Sequence, residues 1–157
     1  MSSSITIDSP LGPIVLESDG SSLTGLTISP TPLPVQNETS DAVLQAASQQ
    51  LGEYFAGTRQ EFSIPLSPRG TAFQEKVWAA LQSIPFGTTT SYQKLGENAG
   101  VGTAPRAVGG AVGANPLPIV IPCHRVLSAN STLTGYSGGA GIPTKVLLLD
   151  LEGISYR

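Results

Sequence analysis

At 157 residues, 39% hydrophobic and 12% charged, the chain suits one ordinary domain or two small lobes sharing a core, and no apolar run approaches the roughly 18 residues of a membrane span. A single cysteine excludes an internal disulfide, and one cysteine with one histidine argues against a structural zinc site. The net charge of −3 is uneven: residues 1–63 hold seven acids against Arg59, a net of −6, while residues 64–157 hold seven bases against four acids, a net of +3. The second half is therefore the one able to meet an anion, weakly and with salt sensitivity. Met1-Ser2-Ser3-Ser4 lacks the basic start and apolar core of a secretory leader, so the expected place of work is the cytoplasm.

In chain order, Ile5 to Ile7, Ile14 to Leu16 and Leu23 to Ile28 read as strands, the first two joined by the turn Ser9-Pro10-Leu11-Gly12-Pro13. Residues 29–40, with three prolines, read as a loop. Ser40 or Asp41 caps a helix whose stripe is Leu44, Ala47, Leu51, Tyr54 and Phe55, stopped by Gly57. A strand near Phe62 to Ile64 is expected to close this first lobe, which shows no constellation for chemistry. From Thr71 a helix carries Phe73, Val77, Ala80, Leu81 and Ile84, with Pro85-Phe86-Gly87 as its end.

Ser91 caps a helix beginning at Tyr92, and Gly100 to Thr103 separates it from another beginning near Ala104 or Pro105, a helix-turn-helix pattern. The second helix contains Gly109, Gly110 and Gly113, each costing about 1 kcal/mol relative to alanine. Either these residues are not a helix or pack closely within the protein, or they make a face without side chains that a sugar-phosphate backbone approaches, with Arg106 projecting from it. Asn115, preceding Pro116, ends the segment.

Residues 117–126 then join a β-branched apolar run, read as a strand, to Pro122-Cys123-His124-Arg125. Proline ends the strand and puts the thiol in a turn. A free thiol is only a few per cent thiolate near neutrality, so a reactive Cys123 needs a base or a cation; His124, across a turn or through water, and Arg125 are both candidates. Val126-Leu127 continues as a strand, Gly135 to Gly139 as a loop, and Pro143 opens a last helix with Val146, Leu147 and Leu149 as core and Gly153 as terminator. Glu152 sits at that helix's negative end, where Lys145, about 10 Å back along the axis, does not offset it. It is either exposed and screened or partnered, for instance by His124.

Assembled, Phe73-Gln74-Glu75-Lys76-Val77-Trp78, Ile84-Pro85-Phe86-Gly87, Ser91-Tyr92, Arg106-Ala107-Val108-Gly109, Asn115-Pro116, Ile121 to Val126, Gly135-Tyr136-Ser137-Gly138-Gly139 and Leu151-Glu152-Gly153 resemble the O6-alkylguanine-DNA alkyltransferases over residues 71–153. The first lobe matches loosely, chiefly through Ser9-Pro10-Leu11-Gly12. The resemblance implies an α/β fold: a small ribonuclease-H-like lobe (residues 1–65), then a mainly helical domain (66–157) with the helix-turn-helix and the active-site cysteine.

It further implies direct-reversal repair of double-stranded DNA carrying O6-alkylguanine, by a monomer without metal or cofactor. The recognition helix enters the minor groove through Arg106, Ala107, Gly109 and Gly110, and Arg106 fills the gap left by the flipped nucleotide. Cys123 accepts the alkyl group once and irreversibly; Glu152 holds His124 in the tautomer that withdraws the thiol proton through water, Tyr92 protonates the leaving guanine, and Asn115 braces the cysteine turn. Val112, Val126, Tyr136 and Ser137 bind the base, with the Ser137 N–H on O6 and the Val126 and Cys123 carbonyls on the exocyclic amine.

Two departures stand out. Residues 140–144 run about two residues longer than the family pattern, which bears on alkyl size, and Gly113 replaces a common basic residue, which predicts weaker DNA affinity. A thiol hydrolase, with a Cys-His-acid triad, and a lesion-binding protein remain as rivals, the latter disfavoured by Cys123 itself.

Overall fold

The computed structural model describes residues 2–157; Met1, part of the stretch read above for a leader, lies outside the described residues. Strands β1 (Ser3–Ile7), β2 (Ile14–Ser18) and β3 (Leu23–Ile28) form an antiparallel sheet in that order, with Ile5 opposite Leu16 and Leu16 opposite Leu26. Period-two alternation puts Ile5, Ile7, Ile14, Leu16, Leu26 and Ile28 on one buried face. Helix α1 (Ala42–Phe55) covers that face with Val43, Leu44, Ala47, Leu51 and Tyr54. Of the two candidate caps, Asp41 serves, accepting from the Val43 and Leu44 N–H groups at 2.9 and 3.0 Å.

The strand expected at Phe62 to Ile64 is absent. The Gln50 amide takes the Ser63 N–H at 2.9 Å and donates to the Ser63 hydroxyl at 3.0 Å, so this backbone is satisfied by a side chain instead of a ladder. This segment meets the sheet at Leu66, in an isolated parallel bridge to Leu23.

Helix α2 (Ala72–Leu81) opens with a reciprocal Thr71–Gln74 capping box. It ends three residues before Ile84, because Ser83 and Ile84 bond back to Ala80 and Leu81 in tight turns. A two-residue strand, β4 (Thr90–Ser91), leads into α3 (Tyr92–Ala99), capped by Ser91 and closed by Gly100 at φ 72°. Helix α4 (Pro105–Gly113) follows with proline in its first turn, so the glycine-rich stretch is helical. A Cβ on Gly96 would lie 2.0 Å from the Gly102 carbonyl oxygen, so the helix-turn-helix closes only because position 96 lacks a side chain. The buried Trp78 indole N–H donates to the Ala111 carbonyl at 2.8 Å and ties α4 to α2.

Strand β5 (Val126–Leu127) pairs in parallel with β4, fixing the start of α3 beside the chain that leaves the cysteine. The last helix, α5 (Ile142–Leu151), buries Thr144, Lys145, Leu148 and Leu149. This corrects the expected core: Leu147 is 49% exposed and Val146 half-buried, because the inward stripe is turned to carry Lys145. One apolar cluster runs from Ile5 to Leu148, so the α/β lobe and the helical part share a core. Their backbones also meet directly, Leu26 N–H donating to the Pro116 carbonyl at 2.9 Å.

Candidate active site

Residues 117–121 are not a strand. Asn115 organises them as a turn: its Oδ1 accepts from Leu117 N–H at 2.9 Å and its Nδ2 donates to the Ile121 carbonyl at 2.8 Å, while Ile121 N–H donates to the Leu117 carbonyl. Ile119 is held at φ 74°, a strained conformation for a β-branched residue that the buried surroundings enforce. Cys123 follows at the start of a 3₁₀ turn (Cys123–Arg125), so the thiol is set in a turn as expected, two residues after the segment that Asn115 holds.

The thiol lies on the wall of a cavity of about 370 Å³ whose other faces are Tyr92, Gly109, Val112, Tyr136 and Ser137. Five residues expected to meet the base or its backbone thus surround the expected nucleophile. A second cavity, of about 330 Å³, reaches Cys123 from the β3 side between Gly25 and Pro118. Burial pushes the Cys123 thiol up; the Asn115 and Tyr136 side chains and the Lys145 charge act the other way. The resting site therefore holds a thiol, and reaction requires a base.

A candidate base adjoins the cysteine in the chain. His124 is fully buried, and its Nε2 lies 2.6 Å from Glu152 Oε2. Burial lowers the His124 pKa although Glu152 works against the shift, so the imidazole is neutral at pH 7. Since Glu152 is ionised and can only accept, Nε2 carries the hydrogen and Nδ1 is left as the basic atom. Among the described residues Nδ1 has no hydrogen-bond partner, and neither does the Tyr136 hydroxyl; both are buried polar atoms on side chains next to Cys123.

Glu152 is the anchor of the arrangement. Besides His124 it accepts from Arg125 Nε at 2.8 Å and Nη2 at 3.1 Å, from the Gly87 N–H at 3.0 Å and from the Tyr54 hydroxyl at 2.6 Å. Burial alone would raise its pKa, but the hydrogen bonds from His124, Arg125 and Tyr54 hold it at about 2. The helix-terminus penalty is outweighed by the Arg125 fork, and the exposed, screened alternative for Glu152 fails, since it is only 7% exposed. Arg125, a candidate neighbour for the thiol, instead turns away: Nη1 donates to the Ile84 carbonyl at 2.7 Å and the guanidinium lies over the Phe86 ring. The Ile84-Pro85-Phe86-Gly87 motif thereby holds the arginine and supplies a backbone donor.

Three participants were not foreseen. Tyr54 comes from the first lobe, whose sequence shows no constellation for chemistry, and no local pattern marks a contact spanning 98 positions. Lys145 is 1% exposed, and its ammonium donates to the Val126 carbonyl at 2.8 Å and to Thr134 Oγ1 at 2.9 Å. One lone pair of the Val126 carbonyl, expected to read the base, is thus used by Lys145, and the Cys123 carbonyl accepts from Val126 N–H. Thr134 Oγ1 also lies 2.8 Å from the Tyr92 hydroxyl. An apolar stripe of period 3.6 containing one lysine was the available signal for Lys145.

Arg106, Ala107 and Gly110 are exposed along α4, away from the thiol. A Cβ on Gly110 or Gly113 would meet nothing within 4 Å, and one on Gly109 would only touch Tyr92. The glycines of α4 are therefore not required by packing within the chain. Ser137 Oγ donates to the Gly113 carbonyl at 2.9 Å, joining the 135–139 loop to the end of α4.

Two family profiles match the chain: the 6-O-methylguanine DNA methyltransferase DNA-binding domain over residues 72–154, and the ribonuclease-like domain of the same proteins over residues 4–68. The chain belongs to the O6-methylguanine-DNA methyltransferase family. It is 43% identical over 159 residues to the constitutive methylated-DNA-protein-cysteine methyltransferase of Bacillus subtilis, covering 97% of this chain and 96% of that protein. Identity to the Mycobacterium tuberculosis methyltransferase is 47% over 150 residues, covering 94% and 90%. The crystal structure of the M. tuberculosis O6-methylguanine methyltransferase superposes with a TM-score of 0.84 over 97% of this chain and 93% of that one. A structure of the M. tuberculosis protein in complex with DNA superposes at 0.79, with 45% identity over 94% and 90%. No helix among the described residues is long and apolar enough to cross a membrane.

Proposed function

We propose that this family member repairs double-stranded DNA by accepting the alkyl group of O6-alkylguanine on Cys123, once and irreversibly. The observation that carries the reading is a cysteine on the wall of a base-sized cavity, backed by a buried neutral histidine whose other nitrogen is locked to an anchored carboxylate. The flipped base enters between α4 and the 135–139 loop, where Val112, Tyr136 and the Ser137 N–H receive it, the free lone pair of the Val126 carbonyl facing its amine. Arg106 takes the vacated place in the duplex, and Ala107, Gly109 and Gly110 admit the backbone.

The Cys123 proton passes through a water to His124 Nδ1, and the Glu152 carboxylate, held in place by Arg125, balances the imidazolium that forms. The thiolate attacks the alkyl carbon, a C–S bond forms as the C–O6 bond breaks, and the electron pair leaves with guanine. Tyr92 supplies the proton that the departing base requires. The thioether has no second nucleophile to release it, so the protein acts as a one-use acceptor. Residues 1–65 serve as a scaffold for the working unit 66–157, and the reading carries with it a monomer active in the cytoplasm.

Intact mass after incubation with duplex DNA containing O6-methylguanine, followed by peptide mapping, tests the proposal. The expected result is a single methyl on Cys123, saturating at one per protein. Catalytic turnover of an ester with no mass change would favour a thiol hydrolase, and lesion binding without modification a binding module.

A further inference from the structure

Lys145, Thr134 and Tyr92 form a hydrogen-bonded line that ends at the cavity wall. An ammonium has hydrogens only to give, so Thr134 Oγ1 must accept from Lys145 Nζ. A hydroxyl has one hydrogen of its own. In the arrangement where that hydrogen goes to the Tyr92 oxygen, 2.8 Å away, Lys145, Thr134 and Tyr92 all donate in one direction along the line. Tyr92 then accepts from Thr134, and its own O–H is freed from this pair to point elsewhere, the open direction being the cavity it lines. Burying an ammonium at 1% exposure is costly unless its partners are aligned.

We propose that Thr134 is a positioning residue for proton delivery, its hydroxyl coupling the Lys145 ammonium to Tyr92 and turning the Tyr92 O–H toward the departing guanine. The inference rests on the assignment of Tyr92 as the proton donor.

The protons balance along the line. Tyr92 gives its hydrogen to guanine as the C–O6 bond breaks; the tyrosinate takes the Thr134 hydrogen; Thr134 takes one from Lys145, which becomes a neutral amine and is reprotonated from solvent. Burial lowers the Lys145 pKa to about 8, opposed by the Cys123 charge, so Lys145 can release a proton without a large penalty. Alkylation turns the Cys123 thiolate into an uncharged thioether and removes that opposing charge at the moment the proton is needed. Acceptance of the alkyl group and delivery of the proton are thus linked through Lys145.

The test is single-turnover alkyl transfer from O6-benzylguanine as the free base, which needs no DNA, measured for Thr134→Val, Thr134→Ser, Tyr92→Phe and the Tyr92→Phe/Thr134→Val double variant, with melting curves to confirm folding. Thr134→Val is expected to slow transfer about ten-fold or more, and Thr134→Ser, which keeps the hydroxyl, to restore most of the rate. In the Tyr92→Phe background the valine should cost nothing further, because no phenol remains to be turned. An equal loss in both backgrounds would overturn the inference, marking Thr134 as a packing residue. If Tyr92→Phe alone leaves the rate unchanged, the donor assignment fails instead, and the two failures are distinct.

Discussion

Replacing Tyr54 with phenylalanine isolates the contribution of the first lobe to the buried Glu152 carboxylate. The side chain is fully buried and the change removes one oxygen without opening a cavity, so the loss reports the 2.6 Å bond to Glu152 Oε2. A hydrogen bond to a charged group contributes about 1.5 to 3 kcal/mol. Glu152 keeps its other donors, Arg125, His124 and Gly87, so the lower part of that range applies, about 1.5 to 2 kcal/mol. For a chain of this size that corresponds to a fall in Tm of roughly 3 to 8 °C. Urea unfolding of the single variants and of the double variant with Glu152→Gln gives the coupling directly. A loss for Tyr54→Phe below about 0.5 kcal/mol, or one undiminished by Glu152→Gln, would refute the account. Methyl transfer should slow only a few-fold, since the His124–Glu152 contact remains.

Three further outcomes follow from the same geometry. Gly96→Ala places a methyl 2.0 Å from a backbone oxygen, so unfolding free energy should drop by about 2 kcal/mol or more and DNA binding should fall with it, read by urea titration and by anisotropy of a labelled duplex. Gly110→Ala meets nothing within the chain, so helix propensity should stabilise it by about 0.5 to 1 kcal/mol while duplex affinity drops; unchanged affinity would show that the bare face does not meet DNA. Glu152 titrates at about 2 when folded against 4.5 when free, so its stabilisation is complete above pH 4.5 and is lost as pH falls toward 2. That amounts to about 3 kcal/mol, and Glu152→Gln should flatten the stability profile across that window.

What the sequence makes legible here is what local chemistry decides. Asp41, Thr71 and Ser91 cap their helices because a short oxygen-bearing side chain meets orphan N–H groups within three residues. Gly100 and Gly153 end theirs at positive φ for an equally local reason. Proximity in sequence also singles out Cys123 and His124, the helix end raises Glu152 as a partner for His124, and the resemblance adds the expected roles of Tyr92 and Asn115. The misreadings are long-range. The 117–121 run has the composition of a strand, yet Asn115 bends it into a turn, and the 62–64 run loses its ladder to Gln50 across 13 positions. Leu147 and Leu148 are the same residue type side by side, and only the inward Lys145 decides which one is buried. Arg125 adjoins the cysteine turn but points to a carboxylate 27 positions away.

The five-donor anchoring of Glu152 sets a compatibility rule for recombination among relatives. The profile boundary between residues 68 and 72 invites a crossover there, yet Tyr54 lies on one side of it and Gly87, His124, Arg125 and Glu152 on the other. A transplanted first half must bring a hydroxyl to the same spot, at hydrogen-bond reach of an acid it did not evolve beside. Chimeras joined at that seam should thus sort by whether the donor half carries a tyrosine at the place of residue 54, a criterion that can be applied by inspection before any gene is built.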